Sequence, residues 1–496
     1  MSPMMRLSSQ TLPQLPETIE KPGYDRTKVT IGIVHLGIGA FHRAHQAVFT
    51  DDVLARDLSW GICGVSLRSA ETRDALAPQD GLYTLKVQDG QGAHLRVIGS
   101  VVETLVAPEN PQAVLARMSD PATRIVSLTV TEKGYCHNPA TGALDENHPD
   151  VLHDLENPAA PKSAVGFLVE ALARRRAAGV PAFTLLSCDN LPSNGHVLKR
   201  VVTRFAEMRD PGLAAFVADV ASPSTMIDRI VPATTDADRT AIAAALGVED
   251  AWPVVTEPFR QWVVEDDFPL GRPAWEAAGV VFVADVSAFE TMKLRLLNGS
   301  HSTLAYLGFL AGAETVAEAM ALPGMEELIE GLMREEVSPT LPSLAGFDLP
   351  AYRQALIDRF RNPALRHRTW QIAMDGSQKL PQRLLGTIRD RIAAGASHDR
   401  LVLGVAAWMR YARGIDEAGK PIDVRDPLAA RIAVATQQLN DPEKIVAAFL
   451  GFAEVFGEDL RADAPFRGRL VDTLSRLLSD GSAAVLQAWR DRGGSR

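Results

Sequence analysis

The chain contains little cysteine and no long apolar run. Its 496 residues include three cysteines, Cys63, Cys136 and Cys188, which lie far apart and form no CxxC pair. An odd, scattered set of this kind excludes a disulfide framework and a cysteine-rich zinc site, and we expect a cytoplasmic protein. No stretch approaches the roughly 18 apolar residues of a membrane span, and residues 1–14 lack the apolar core of a secretory signal.

The chain also has fewer basic than acidic residues. The sequence has 51 lysines and arginines against 61 aspartates and glutamates, which gives a net charge of −10. A nucleic-acid partner needs a basic face, so we expect a small-molecule partner, no nucleic acid, no membrane, and a monomer or small homo-oligomer. The densest basic run, Arg174–Arg176, lies in an alanine-rich helical pattern, and we predict that it is solvated.

Short apolar runs recur through the first part of the chain, and helical patterns separate them. Runs typical of buried parallel strands occupy residues 29–36, 61–67, 124–130, 181–187 and 280–283. Strands that alternate with helices predict a parallel, doubly wound α/β sheet of the Rossmann type. Catalytic groups are expected at the carboxyl ends of such strands.

Helical periodicity dominates the second part of the chain. Apolar helical repeats cover residues 292–311, 325–336, 401–413 and 444–456, and strand-like runs become rare. A chain of 496 residues is also too long for one core. We therefore predict a Rossmann-type nucleotide-binding domain at residues 1–287, followed by a mainly α-helical substrate and catalytic domain at 288–496.

A glycine pair directly follows the first predicted strand and opens a helical segment. One glycine in this context permits a tight turn, and the next lets backbone amides approach the pyrophosphate of a dinucleotide. The predicted cofactor loop consists of Gly37, Ile38, Gly39, Ala40 and Phe41. His42 replaces the usual third glycine, and His42 or Arg43 is an alternative contact for the pyrophosphate.

An acidic residue that binds the adenosine ribose is expected after the second strand. Glu71 lies there, and its carboxylate would accept hydrogen bonds from the ribose hydroxyls and repel a 2′-phosphate, which favours NAD. Arg68 nearby would favour NADP, and we predict NAD.

Two histidines near the cofactor loop have a spacing that metal ligands also use. His42 and His45 lie about one helical turn apart. No cysteine or carboxylate cluster completes a metal site, so we predict no metal.

A lysine, an asparagine and a histidine share one apolar helical segment. On an α-helix with about 100° per residue, Lys293, Asn298 and His301 lie within about 140° of arc, so one face presents all three. The leucines around them predict partial burial, which lowers the pKa of a lysine as a general base requires. The alternative is an ordinary helix with a surface lysine and a capping asparagine.

A second polar cluster lies where the predicted strand 181–187 ends. From this position Asn190 can direct its amide into the cleft, and with Asn298 it would stabilise the oxyanion that forms as an alcohol loses its proton. The pair Asn194-Gly195 follows, and we predict that it is a simple turn.

Four stretches of the chain resemble the polyol-specific long-chain dehydrogenases, the mannitol dehydrogenase family. They are GIGAFHRAHQ at 37–46, SCDNLP at 187–192, MIDR at 226–229 and KLRLLNGSH at 293–301, and the resemblance extends over nearly the whole chain. It implies a Rossmann-type domain before a helical one, and a zinc-free, nicotinamide-dependent oxidation of a secondary alcohol.

The same resemblance implies a role for each polar residue in these stretches. Lys293 corresponds to the general base, Asn190 and Asn298 to the oxyanion hole, and His301 to a residue that binds or orients the substrate. By the same resemblance, Asp228 and Lys379 contact substrate hydroxyls and Glu290 relays protons from Lys293 to solvent.

Three further stretches resemble the branch of the family that acts on D-mannonate and D-fructuronate. They are residues 131–136, 362–383 and 404–411. Gln371 stands where the mannitol branch has an arginine that contacts the substrate. Arg366 and Arg368 are the cations predicted to bind an aldonate carboxylate, and a solvated basic turn is the alternative.

The residues and the resemblance together predict an NAD-dependent enzyme for D-mannonate and D-fructuronate. A neutral polyol such as mannitol or arabinitol, with its ketose, is the alternative substrate. A sensor that binds NAD and sugar without turnover is an alternative of a different class, and Lys293 argues against it because binding alone needs no buried base. A metal-dependent sugar lyase or hydrolase is disfavoured, because no ligand cluster is visible.

Overall fold

Four of the predicted apolar runs pair, together with residues 101–106, into a five-stranded parallel sheet. The computed structural model describes residues 4–138, 141–344 and 346–493, and the chain divides into two units, Met1–Ser287 and Ala288–Arg496. The strands are β1 Ile31–Leu36, β2 Gly61–Ser66, β3 Tyr83–Gln88, β4 Ala93–Ile98, β5 Val101–Val106, β6 Ile125–Leu128, β7 Thr184–Ser187, β8 Thr225–Asp228, β9 Val254–Thr256, β10 Gln261–Glu265 and β11 Val281–Val283. The parallel sheet has the order β5-β2-β1-β6-β7, so the predicted α/β fold class is confirmed.

Apolar side chains fill both faces of this sheet. Val34 and Leu36 of β1 pack into one buried cluster, and Ile33 packs into a second cluster. Alternate residues of a strand point to opposite faces, so this division means that both faces of the sheet are covered. The strand order also reverses between β1 and β6, and a crevice for a ligand forms at the carboxyl ends of strands where such a reversal occurs.

Helices surround the strands of the first unit. They are α1 Ala40–Ala44, α2 Gln46–Leu54, α3 Glu71–Leu76, α4 Pro111–Ser119, α5 Pro149–Glu156, α6 Ala164–Ala177, α7 Asn194–Arg209, α8 Pro211–Ala218 and α9 Asp236–Leu246. The predicted solvation of the basic run is wrong for Arg175, which is fully buried in α6. Its guanidinium donates to the carbonyls of Pro181 and Thr123, at 2.6 and 2.9 Å, and so ties α6 to the sheet.

Two smaller sheets complete the strands of the first unit. One has the order β11-β10-β8 and the other β4-β3-β9. The prediction that residues 280–283 extend the main sheet is therefore wrong, because β11 pairs with β10 in a separate sheet.

The second unit contains helices and, among its described residues, no strand. Its α-helices are α10 Ser287–Met292, α11 Gly299–Leu310, α12 Val316–Met320, α13 Met325–Gly331, α14 Leu349–Arg361, α15 Thr369–Ala373, α16 Gly376–Leu380, α17 Gly386–Ala393, α18 Asp399–Ala412, α19 Ala429–Thr436, α20 Pro442–Leu450, α21 Ala453–Ala462, α22 Ala464–Ser479 and α23 Ser482–Gly493. The helix predicted at 444–456 is wrong, because α20 ends before Gly451 and α21 begins after Phe452. In the described ranges, no helix combines the length and the apolar character needed to cross a bilayer.

Three turns of π-helix interrupt the α-helices of the second unit. They are Lys293–Asn298, Leu332–Val337 and Pro381–Leu385. Turns of π-helix are rare and occur often at functional sites. The first of them contains two of the predicted catalytic residues.

Candidate active site

The predicted cofactor loop lies at the carboxyl end of β1, between the ends of β2 and β6. The Gly37 N–H donates to the Val65 carbonyl at 2.8 Å, and the Thr129 hydroxyl donates to the Gly37 carbonyl at 2.9 Å. Gly37 has a φ of 93°, and a Cβ there would lie 2.2 Å from the Thr129 carbonyl oxygen. Only glycine fits this position, because any side chain would be strained and would collide with the backbone.

Gly39 leaves the loop open on its outer side. A Cβ at Gly39 would meet nothing nearer than the Gly37 carbonyl oxygen at 3.9 Å, and α1 begins at the next residue, Ala40. A phosphate can therefore approach the backbone amides of the first helical turn. The loop residues fit the pyrophosphate of a dinucleotide.

A buried histidine pair lies behind the loop. The His35 ring bonds to the hydroxyls of Ser127 and Thr129, both at 2.8 Å, and stacks on the ring of His42 at 3.5 Å. Burial lowers the pKa of His35 to about 3 and that of His42 well below its usual value. Both rings are therefore neutral, and they support the loop through packing and hydrogen bonds.

Arg43 and His45 both face the interior of the first unit. The Arg43 guanidinium is buried and donates to the Trp252 carbonyl, so Arg43 is not the predicted pyrophosphate contact. His45 bonds to the Gln261 carbonyl at 3.1 Å. It also separates α1 from α2, because its backbone is not helical, with φ −123° and ψ −95°. Nowhere in the described ranges do three metal-ligating side chains cluster.

Glu71 is the first residue of α3 and is exposed, after the end of β2 at Ser66. Arg68 is exposed in the same connection. Both side chains can reach solvent or a ligand, so the predicted preference for NAD stays a prediction.

Asp189 anchors the loop that carries Asn190. Its buried carboxylate accepts hydrogen bonds from the N–H groups of Val130 and Thr131, at 3.1 and 2.9 Å, and from the Tyr135 hydroxyl at 2.8 Å. These bonds join the segments that follow β6 and β7. The neighbouring Asn190 is exposed, at the carboxyl end of β7 as the sequence predicts.

The prediction of a simple turn at Asn194-Gly195 is wrong. Asn194 is fully buried at the start of α7, and its amide donates to the carbonyls of Asp189 and Thr225, at 2.9 and 3.0 Å. Its side-chain oxygen accepts from the Thr225 N–H at 2.8 Å. Asn194 thus joins the Asn190 loop to β8, the strand that ends at Asp228. Asp228 itself is 6% exposed.

Lys293 and Asn298 are the first and last residues of a π-helical turn. The Gly299 N–H bonds to the Leu294 carbonyl, five residues earlier, as a π-helix requires. The prediction of one regular α-helix is therefore wrong here. In this wider turn the angle between the side chains of residues 293 and 298, seen along the helix axis, is smaller than it would be in an α-helix, so both side chains lie on one face. Both are partly buried.

His301 follows on α11 and is 8% exposed. Its ring packs on Phe360 with centroids 4.7 Å apart, and meets the ring of His367 edge-on at 5.5 Å. Burial, together with the positive charges of Arg359 and Arg383, lowers the pKa of His301 well below its usual value. A neutral imidazole offers one donor and one acceptor, which suits a ring that orients a hydroxyl.

Lys379 and Arg383 lie one helical turn apart near this histidine. The Lys379 ammonium donates to the Met374 carbonyl at 2.6 Å, and burial and the charge of Arg383 lower its pKa. Arg383, in the π-helical turn Pro381–Leu385, is partly buried and donates to the Ser302 hydroxyl at 3.1 Å. The sequence alone did not indicate Arg383 as a site residue, because the chain has many arginines and only the packing shows which of them are buried.

The predicted carboxylate ligands Arg366 and Arg368 are both exposed. His367 between them is partly buried and faces His301. Gln371 is exposed on α15, and Glu290 is partly buried on α10, one helical turn before Lys293.

The structure thus groups the predicted residues by unit. The first unit holds the cofactor loop, Glu71, Asn190 and Asp228, and the second holds Glu290, Lys293, Asn298, His301, Arg366, Arg368 and Lys379.

Comparison with known proteins gives matches over nearly the whole chain. Residues 31–277 match the model of the mannitol dehydrogenase Rossmann domain, and residues 285–478 match that of the mannitol dehydrogenase C-terminal domain. The D-mannonate oxidoreductase of Escherichia coli K12 is 49% identical over 477 residues, which cover 95% of this chain and 98% of that protein. A mannitol 2-dehydrogenase of Aspergillus fumigatus is 42% identical over 97% of this chain and 98% of its own length.

A solved structure agrees with these relatives. The mannitol 2-dehydrogenase of Pseudomonas fluorescens, in a ternary complex with NAD and D-mannitol, matches with a TM-score of 0.81 and 41% identity. The match covers 98% of this chain and all of that one. The two family models and these relatives show that the chain is a dehydrogenase that belongs to the mannitol dehydrogenase family.

Proposed function

We propose that the chain is an NAD-dependent oxidoreductase that interconverts D-mannonate and D-fructuronate, with Lys293 as a general base and without a metal. The observation that carries this proposal is the π-helical turn that begins at Lys293 and ends at Asn298. It presents an amine and an amide on one face, which are the two groups that forming and stabilising an alkoxide requires.

The proposed chemistry starts at the Lys293 amine. It removes the proton from a secondary hydroxyl of the substrate, and Glu290, one helical turn earlier, relays that proton to solvent. The side-chain amides of Asn190 and Asn298 donate to the oxygen as negative charge develops on it. NAD, when bound, would supply the hydride acceptor for the carbon that carries this oxygen.

A neutral His301 fits the role of an orienting residue. A ring with a strongly lowered pKa is a poor acid or base near neutral pH. It can still hold a substrate hydroxyl through one hydrogen bond, while proton removal belongs to Lys293. Asp228 and Lys379 are proposed to contact further hydroxyls of the linear sugar chain.

The choice of NAD rests on the loop and on a relative. Gly37 and Gly39 form a turn that fits a pyrophosphate, and the Pseudomonas fluorescens enzyme was solved with NAD. Glu71 is proposed to accept hydrogen bonds from the adenosine ribose and to disfavour a 2′-phosphate.

The choice of substrate rests on the degree of similarity. The mannonate-oxidising relative is 49% identical, and the mannitol-oxidising ones are 42% and 41% identical. The exposed Arg366 and Arg368 are proposed to attract the anionic substrate and to contact its carboxylate. A neutral polyol such as mannitol is the second candidate, because the relatives that oxidise it match over almost the same length.

One assay separates the two candidates. NADH oxidation is measured with D-fructuronate and with D-fructose on the same enzyme preparation. A higher kcat/KM for fructuronate supports the proposed function, and a higher kcat/KM for fructose identifies a polyol dehydrogenase. No turnover of either ketose or of the matching alcohols, despite NADH binding, would favour a sensor.

A further inference from the structure

Arg383 is a partly buried cation whose hydrogen bonds go to neutral groups. Its Nη1 donates to the Ser302 hydroxyl at 3.1 Å and approaches the Asn298 carbonyl oxygen at 3.5 Å. Burial lowers the pKa of its guanidinium. Removing a charge from water is unfavourable unless an opposite charge or several hydrogen bonds replace the water.

Neighbouring arginines of the second unit differ from Arg383 in this respect. Arg389 makes a forked ion pair with Asp459, at 2.5 and 3.0 Å, and Arg295 pairs with Asp390 at 2.5 Å. Within residues 4–138, 141–344 and 346–493, no carboxylate pairs with Arg383. The guanidinium therefore lacks the counter-ion that the fold supplies to the others.

The free edge of the guanidinium has the geometry that a carboxylate needs. Only Nη1 of Arg383 is engaged by described residues, so the Nε and Nη2 groups keep their N–H donors. Two such donors side by side match the two oxygens of a carboxylate. The tether through Nη1 also holds the fork in place, which reduces the entropy lost on binding.

The backbone of Arg383 packs against the end of the π-helical turn at residues 293–298. A Cβ at Gly299 would lie 2.8 Å from the Arg383 carbonyl oxygen, so the two π-helical turns pack with almost no space between them. The charge of Arg383 also acts on His301 and on Lys379, since it contributes to lowering the pKa of both side chains. An anion bound here would lie beside the residues proposed to hold the sugar chain.

We propose that Arg383 binds the carboxylate of the substrate and is thereby the residue that makes the enzyme prefer a sugar acid over a neutral ketose. This inference rests on the proposed function and adds the residue that recognises the negative charge of the substrate. In this proposal the partly buried Arg383 makes the main contact with the carboxylate. The exposed Arg366 and Arg368 make weaker contacts, because salt screens charges at the surface.

The test compares fructuronate and fructose as substrates of Arg383→Gln, with NADH as the reductant. We expect the KM for fructuronate to rise about tenfold or more, as for the loss of a charged hydrogen bond, and kcat/KM for fructuronate to fall by about tenfold relative to kcat/KM for fructose. Arg389→Gln is the matched control, because Arg389 already has its own carboxylate, and it should leave the substrate preference unchanged. Melting temperatures of all variants show whether they fold.

Arg383→Lys keeps the test decisive if the glutamine variant does not fold. Lysine retains the charge and loses the paired donors of the guanidinium, so the KM for fructuronate should still rise severalfold relative to the KM for fructose. Equal losses for both substrates, in a folded variant of an enzyme that prefers fructuronate, would make Arg383 a structural support and overturn this inference alone. So would a loss of preference in Arg366→Gln or Arg368→Gln but not in Arg383→Gln. A wild-type preference for fructose would overturn the proposed function and this inference together.

Discussion

The rings of His301 and His367 meet edge-on, with their centroids 5.5 Å apart. Burial lowers the pKa of both rings, and the positive charge of Arg359 lowers both further. An imidazole with a lowered pKa is a weak base, because its protonated form is unfavourable near neutral pH. The pair therefore supports the assignment of proton removal to the amine of Lys293.

Lys293→Ala should remove nearly all turnover and leave NADH binding largely intact, because the base acts on the substrate hydroxyl and not on the cofactor. Steady-state kinetics and an NADH titration followed by fluorescence check the two halves of this expectation. Lys444→Ala, which changes an exposed lysine of α20, is the control and should retain wild-type activity. A kcat above about a tenth of the wild-type value would show that another group is the base.

Acid should destabilise the first unit before it protonates most carboxylates. Burial lowers the pKa of His35 and His45 to about 3 and that of His42 well below its usual value. Below the unfolded value of about 6.5, the unfolded chain binds protons that the folded chain does not bind. The stability that these histidines contribute is thus complete above that pH and is lost as the pH falls toward their folded values, at up to about 4 kcal/mol per pH unit for three histidines.

Urea unfolding at about pH 7.5, 6.5 and 5.5 measures this loss. The unfolding midpoint should be nearly constant between the first two values and clearly lower at the third. His196→Gln alters an exposed histidine and should leave the pH dependence unchanged. A midpoint that does not move between about pH 6.5 and 5.5 would mean that these rings accept protons in the folded state.

Glu71→Ala should weaken the binding of NAD and raise the preference of the enzyme for NADP relative to NAD. The carboxylate is proposed to accept a hydrogen bond from the ribose 2′-hydroxyl and to repel a phosphate at that position, so the ratio of kcat/KM for NADP to that for NAD should rise about tenfold. Asp74→Ala, an exposed carboxylate of the same helix, is the control. An unchanged ratio in Glu71→Ala would assign cofactor selectivity to another residue, with Arg68 the first to test.

Chelators should not inactivate the enzyme, and purified protein should contain no stoichiometric zinc. Within the part of the chain that the structure describes, no group of three metal-ligating side chains forms, and a lysine base needs no metal to activate the hydroxyl. Metal analysis and activity after dialysis against EDTA check this. Activity that is lost on dialysis and restored by zinc would contradict it.

Four of the five strands of the main sheet were predictable because they are short apolar runs buried on both faces, and the less buried edge strand β5 was not predicted. Residues 31–36 and 61–66 have that pattern, and both pair as predicted. The hairpin of β3 and β4 was not predicted, although lysine, histidine and arginine alternate with its apolar residues as in half-buried strands, because the prediction relied on continuous apolar runs. A strand of three residues, such as β9, carries too few side chains for any period to be recognised.

The surroundings of the candidate site residues were predictable where these residues share one segment, and less so where partners distant in the sequence determine their contacts. Lys293, Asn298 and His301 share a segment, so their spacing suggested a common face. Asn194 was misread because an Asn-Gly pair usually forms a turn, and its burial depends on Thr225, in a strand that sequence alone did not reveal. Arg383 was missed for the same reason, since its environment is set by residues 298–302.

The π-helical turn at 293–298 makes the winding of this segment as important as the identity of its residues. A π-helix has one residue more per turn than the α-helix into which it is inserted, and it is less stable for that reason. If the same six residues relaxed into a continuous α-helix, everything before the turn would rotate by about 100° relative to Asn298. The segment would then be more stable and the enzyme inactive, as expected where function depends on locally unfavourable backbone. Substitutions that favour a regular α-helix in this turn should therefore reduce activity more than stability.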